Sequence, residues 1–323
     1  MDNYSLLQKV LHALLLQKQG AREATFEIES SIFQPTNIRD DHVFVVGLAR
    51  SGTTVLLNAI YKSACFASLS YADMPFVLAP NLWSKLVKPK STWAASERAH
   101  GDGLNISLDS PEAFEEIFWK TFCNESTETK NKFVRYVHLI AKKYNKKRYL
   151  SKNNQNLKRL GLIADIFPNS KILVPFRTPL QQAYSLLTQH QKFCDIALSD
   201  KFVATYMNWL GHHEFGQGYI PMYTDNLRFE NHLDVNHWLE QWYLAYSSLL
   251  KISKADKHLC FVCYENLCRG EDTWNDICRL IGIEISYAPE FSESVKNISL
   301  KSDNKLLREC NSLYEHLVTE RIS

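Results

Sequence analysis

The sequence predicts an α/β fold: a P-loop-like three-layer sandwich with a central, mostly parallel sheet of about four to five strands and inserted helices. Three observations carry the expectation. The apolar run Val43–Val46 breaks at Gly47, passes through a small-residue loop and restarts as a helical pattern after Gly52. Two further strand-then-helix units follow, at 149–166 and 171–187, and a last apolar strand lies at 258–264. Strands alternating with helices at this spacing imply right-handed crossovers and a parallel sheet.

Taken in order, residues 4–18 read as an amphipathic helix, with Leu6, Leu7, Val10, Leu11, Leu14 and Leu15 at helical spacing. Residues 1–20 are therefore expected to form an N-terminal helix on the main body, and 20–40 a mixed connection. The opening strand, loop and helix span about 42–63. Phe66–Phe76 reads as a short strand ending in Asp73 before a proline. Residues 80–110 have few regular signals, as in a lid or substrate loop. Asp109-Ser110-Pro111-Glu112 has the capping residue, proline and acid of a helix start, and a second helix covers about 128–144. Tyr149–Ser151 is a strand, 152–156 a polar loop and 155–166 a helix. Lys171–Phe176 is the next strand, ending in Arg177, with a helix starting at Thr178-Pro179. Residues 200–255 are helical and aromatic, interrupted by a glycine-punctuated loop at 211–221. Helices at 233–252, 271–282 and 301–319 complete the chain. With no repeat, low-complexity segment or Ser/Gly linker, 1–323 reads as a single domain. The stretches 80–145 and 200–255 are insertions that shape a second pocket.

At 323 residues, 45% apolar and 22% charged, the composition is that of a globular protein with a substantial core. A formal net charge of +2 makes no demand for nucleic acid, and none is expected as a partner. Eight cysteines sit mostly among apolar residues. Cys260 and Cys263 have C-x-x-C spacing, but strand alternation sends them to opposite faces. The Met1 end lacks a signal-peptide pattern and no 18-residue apolar run occurs, so a cytoplasmic protein without a membrane span is expected.

The loop after the first strand carries the chemistry. A strand-to-helix turn aims backbone N–H groups and a helix N-terminus at one spot, which suits a tetrahedral anion. Arg50 adds a forked cation, and Ser51, Thr53 and Thr54 add hydroxyls beside Gly52. The Walker A pattern requires G-x-x-x-x-G-K-S/T; Gly47 and Gly52 have its spacing, but Thr53 stands where the lysine belongs. A plain structural turn is the alternative. Farther along, Arg177 at a strand end and Ser185 eight residues later are placed to close on a second phosphate. His213-Glu214 lacks the H-E-x-x-H spacing and a third ligand, so no metal is expected.

The Arg50-Ser51-Gly52-Thr53-Thr54 loop resembles the 5′-phosphosulfate loop of sulfotransferases. The strand-Arg177-x-Pro179 segment with Ser185 resembles their 3′-phosphate motif. Tyr149–Ile172 looks like the segment that precedes that motif in the Golgi and bacterial branches, and Tyr264–Leu267 with the helix to Gly282 looks like the usual C-terminal part. The resemblance implies a metal-independent sulfotransferase of EC 2.8.2 type. Its sulfuryl donor would be 3′-phosphoadenosine 5′-phosphosulfate (PAPS), its product 3′-phosphoadenosine 5′-phosphate (PAP), and its acceptor a hydroxyl, or an amine, of a small molecule or glycan, attacking the sulfur in line. Arg50 and residues 51–54 would hold the 5′-phosphosulfate, and Arg177 and Ser185 the 3′-phosphate. Lys152 matches a family lysine near the transferring group. The cytosolic branch places a histidine base two residues after that lysine; here the position is Asn154. Asp73 is the nearest match to the acid used as base in other branches, with His100, His190 and His213 as substitutes. A capping role for Asp73 is the alternative. The rival functions are a small-molecule kinase, which needs the missing loop lysine and carboxylates for magnesium, and a non-catalytic nucleotide-binding scaffold. Acceptor identity and oligomeric state are not legible.

Overall fold

The computed structural model describes residues 15–34, 37–87, 105–124, 126–199, 208–285, 287–293 and 295–320, together with 12, 96–97 and 205. Most of the expected 4–18 helix, much of the 80–110 stretch and His100 lie outside them. Four strands form one parallel sheet: β1 (Val43–Val45), β4 (Leu150–Lys152), β5 (Lys171–Phe176) and β6 (Leu259–Cys263), in the order β4-β1-β5-β6. Alternation along these strands builds a core on each face. Phe44, Val46, Ile172, Val174 and Phe261 point into one cluster, Val43, Val45, Leu173 and Val262 into the other. The sandwich is thus three layers deep. Cys263 belongs to the first cluster and Cys260 packs against the second, on opposite faces as the alternation requires.

Helix α2 (Thr53–Lys62) covers the second cluster with Leu56, Leu57, Ala59 and Ile60. The other face is covered by α5 (Thr127–Lys143), α7 (Pro179–Ser199), α8 (Val235–Ser253) and α11 (Asn304–Thr319). Pro175, an unwelcome residue in a central strand, lies beyond the last β1 pair, Val45 with Leu173, and pairs only toward β6.

Several local expectations are corrected. The strand expected at 66–76 is a single parallel bridge, Ala67 with Tyr149, followed by a 3-10 turn over Tyr71–Asp73. The helix expected from Asp109 begins only at α4 (Glu116–Phe122), because Pro111 is held in a bridge to Ser70. Lys152 ends β4 rather than opening a loop, and the segment after it is a 3-10 turn (Asn154–Lys158) before α6 (Leu160–Ile166). Residues 19–32, expected as mixed connection, form α1 (Gln19–Ile32). Two of its three buried positions are Arg22 and Glu29, so no apolar stripe announces it. Glu29 accepts from the Asn81 and Leu82 backbones, capping α3 (Pro80–Leu86) from a distance. The 80–110 excursion therefore contains this helix, and also a two-residue strand pair, β2 (Ser96–Glu97) with β3 (Asn105–Ile106). The short helix α9 (Tyr264–Arg269) was not expected; α10 (Glu271–Ile281) follows it and stops at Gly282, as expected. Among the described residues, no helix is long and apolar enough to cross a membrane.

Candidate active site

All four strands point their carboxyl ends to one edge, and strand order reverses between β1 and β5, the place where open α/β sheets take ligands. The loop after β1 and the turn after β5 meet there. Gly47 allows the loop to pass close to the neighbouring strand, since a Cβ would lie 3.2 Å from the Pro175 carbonyl oxygen. Arg50 and Gly52 both take left-handed backbone, with φ of 66° and 96°. At Gly52 a side chain is excluded twice, by the backbone and by the Tyr264 ring, 2.4 Å from where its Cβ would sit. Gly52 precedes α2, which has no side-chain cap and no acid in its first turn. Its leading N–H groups therefore present unscreened partial positive charge to an anion. Ser51 donates back to the Leu48 carbonyl (2.8 Å) and closes the loop.

The two expected anion sites come together directly. Arg50 Nε donates to Ser185 Oγ at 3.0 Å, joining the loop after β1 to α7. Arg177 is largely buried at the end of β5, its guanidinium 5.8 Å from the centre of the Tyr264 ring. Tyr264 thus stands between Gly52 and Arg177. Glu265 accepts from the Thr178 backbone (2.8 Å) and from the Tyr314 hydroxyl, fixing the turn that aims Arg177. Gln182 donates to the Ala49 carbonyl while accepting from the Trp242 indole, which anchors the loop from α7.

Lys152 reaches the same edge from β4, its register partner Val45 being the end of β1. Its Nζ lies 3.9 Å from Glu112 Oε1, both side chains largely buried, and the Tyr71 hydroxyl donates to Glu112. Asp73 is 0% exposed. It accepts from the Ser70 backbone in a capping box, from the Tyr144 hydroxyl at 2.6 Å and from the Lys143 ammonium. Burial first, and then the Asp73 carboxylate, push the Tyr144 phenol well above its ordinary range. Those contacts match the capping role of Asp73 and leave it enclosed.

The histidines are dispersed. His190 lies on α7 against Tyr219, His232 and Trp238, and burial, with His232 and His237, pushes it down to about 4. His213 contacts the Gly218 carbonyl at 3.2 Å. Among the described residues, no three His, Cys, Asp or Glu side chains gather as metal ligands would.

Beside the loop opens a small, partly open cleft lined by Leu48, Ala49, Leu186, Asn154, Glu214 and Trp238 among others. Asn154 donates to Glu214 at 3.2 Å. Sequence reasoning passed over Glu112, read as a helix-start acid, and Glu214, seen only as a rejected metal ligand. It also gave Tyr264 no role. None of the three carries a local pattern; proximity in space is their only signal.

The carboxyl edge of a parallel α/β sheet, with two arginines and an uncapped helix N-terminus beside it, has the make-up of a site for phosphate- or sulfate-bearing ligands. Residues 42–219 match the model of the sulfotransferase family. That is 178 of the 323 residues, and the chain belongs to this family. Among solved structures, sulfotransferase STF1 of Mycobacterium tuberculosis H37Rv is similar at 12% identity, over 95% of this chain and 81% of that one, with a TM-score of 0.51. Sulfotransferase STF9 of Mycobacterium avium aligns at 11% identity over 98% and 79%, with a TM-score of 0.49. The first likeness shows the shared fold. No curated protein matches the sequence.

Proposed function

We propose that the chain moves a sulfuryl group from PAPS to an acceptor hydroxyl by in-line displacement. The observation that carries this is the 3.0 Å hydrogen bond from Arg50 to Ser185, which unites the 5′-side loop with the 3′-side helix. The residues suit the donor: an uncapped helix start without acids, plus two arginines, answers a ligand with anionic groups at both ends.

In this scheme the loop backbone, Arg50, Ser51, Gly52, Thr53 and Thr54 bind the 5′-phosphosulfate, and Arg177 and Ser185 bind the 3′-phosphate. The acceptor oxygen attacks sulfur, the bond from sulfur to the bridging oxygen breaks, and PAP leaves with that electron pair. Lys152 stabilises the charge arriving on the bridging oxygen. The acceptor proton passes to a carboxylate. Asp73 is fully buried within its capping box and suits a structural part. Glu112, which also accepts from Tyr71 and the Ala113 backbone, lies beside Lys152 and is assigned this role for that proximity.

Thermal unfolding with PAP tests the donor site: stabilisation of roughly 2.7 kcal/mol is expected at 100 times the dissociation constant, and much less with ATP and magnesium. A larger response to ATP would sink the assignment and favour a kinase. PAP binding without turnover of any hydroxylated acceptor would favour a nucleotide-binding scaffold.

A further inference from the structure

The cleft beside the loop has a polarity that constrains what enters it. It borders the proposed donor site through chain neighbours: Ala49 precedes Arg50, Leu186 follows Ser185, and Asn154 lies two residues after Lys152. Its walls are apolar and aromatic. Tyr219 and Trp238 pack with ring centres 4.8 Å apart. Their polar atoms are occupied elsewhere, the Tyr219 hydroxyl with His237 Nε2 at 2.7 Å and the Trp238 indole with the His232 carbonyl at 3.0 Å. Gln241 is likewise engaged, both accepting from and donating to the Tyr223 backbone.

Besides the Gln155 side-chain amide, what remains is a pair of acceptors. Asn154 is 5% exposed, and its amide nitrogen is used on Glu214, while its Oδ1 is buried without a hydrogen-bond partner. Among the described lining residues Glu214 is the one acid, with no lysine, arginine or histidine beside it. Outside the lining, His212 Nδ1 lies 3.8 Å from Glu214 Oε2. A buried carbonyl oxygen and a carboxylate without a fixed cation both call for donated protons. Aromatic faces alongside them favour a cation over a neutral donor.

We infer that this cleft is the acceptor subsite and that it selects an apolar-bodied alcohol carrying a protonated amine, with the ammonium held by Glu214 and Asn154 Oδ1. The inference rests on the sulfuryl-transfer proposal for the neighbouring site. An ammonium there completes the hydrogen bonding of Asn154 and pairs the carboxylate of Glu214. A carboxylate in the same place meets like charge and two acceptors, and an alkyl group leaves Asn154 Oδ1 unsatisfied.

Three benzyl alcohols of one shape separate these cases: 4-(aminomethyl)benzyl alcohol, 4-ethylbenzyl alcohol and 4-(hydroxymethyl)benzoate. Each is titrated calorimetrically into the full chain with saturating PAP, at neutral pH. The amine is expected to bind about ten- to a hundredfold more tightly than the ethyl compound, and the benzoate most weakly. Glu214→Gln should bring the amine to within a few-fold of the ethyl compound while PAP still binds. Equal affinities, preference for the benzoate, no binding of any of the three, or an amine preference that survives Glu214→Gln would each overturn the inference. Failure of PAP itself to bind would instead strike the donor assignment.

Discussion

The two sides of the sheet's carboxyl edge are built differently. On the proposed donor side, the loop after β1, the start of α2 and the turn after β5 offer backbone N–H groups, glycine conformations and two arginines. These parts sit in short runs of chain, Gly47–Thr54 and Arg177–Ser185. On the proposed acceptor side, Asn154, Glu214, Tyr219 and Trp238 come from three separate segments and meet only in the folded chain. A phosphate-like ligand looks much the same wherever it occurs, so its site can be a local motif. An acceptor is particular, and its site is assembled from side chains whose spacing in sequence has no fixed pattern.

Substitutions can break this contrast. The largest effect is expected at Asp73, which belongs to neither ligand site if its role is structural. Asp73→Asn leaves the partly buried Lys143 ammonium without its fully buried carboxylate, and should cost about 3 kcal/mol of stability, read by chemical denaturation. Unchanged stability with lost turnover would make Asp73 the base after all. Next is Lys152→Ala, where turnover should fall by about a hundred- to a thousandfold while PAP still raises the melting temperature. Full turnover in that variant would remove Lys152 from the mechanism. Arg50→Ala and Arg177→Ala should do the reverse, weakening PAP binding by about 1.5–3 kcal/mol each in calorimetry. A wild-type PAP affinity in either would break the donor side of the comparison.

Gly52→Ala sharpens it further, because the donor loop depends on backbone that only glycine accepts easily. Strain at φ of 96° should cost about 1–3 kcal/mol, with the Tyr264 ring forced aside, and PAP binding should fall with it. A variant as stable as the parent would show that the turn tolerates a side chain. The smallest effect is on pH dependence. His42, which accepts the Tyr149 backbone N–H at 3.1 Å, is pushed down to about 3, chiefly by burial, and His190 to about 4. Both lie below their ordinary 6.5, so the unfolded chain binds more protons as pH falls from there. Stability should be flat above pH 6.5 in this respect and decline toward pH 4. His190→Gln should flatten part of the decline, and a melting profile parallel to the parent's would exclude His190 from it.

The pieces proposed as the donor side were found in the sequence because each is local: the spacing of Gly47 and Gly52, Thr53 in place of a lysine, and Arg177 with Ser185 are short-range patterns. The sheet was legible too, since buried strands read as apolar runs. The helix α1 was not, because Arg22 and Glu29 occupy its buried face and find partners far along the chain, at Thr121 and Asn81. Nor was the loss of the expected strand at 66–76, where pairing with 149 survives at one residue only.

Glu112 shows the limit most clearly. In sequence it is an acid after a proline, with every mark of a helix start. In the fold, Pro111 bridges Ser70, the helix begins later, and Glu112 faces Lys152, forty residues away in the chain. By itself the sequence determined the parallel sheet and the strand-loop-helix turn at Gly47–Thr54, because periodicity and backbone conformation are properties of neighbouring residues. Only the tertiary structure decided which carboxylate stands beside Lys152 and what lines the cleft, because those contacts join segments whose separation leaves no trace in local spacing.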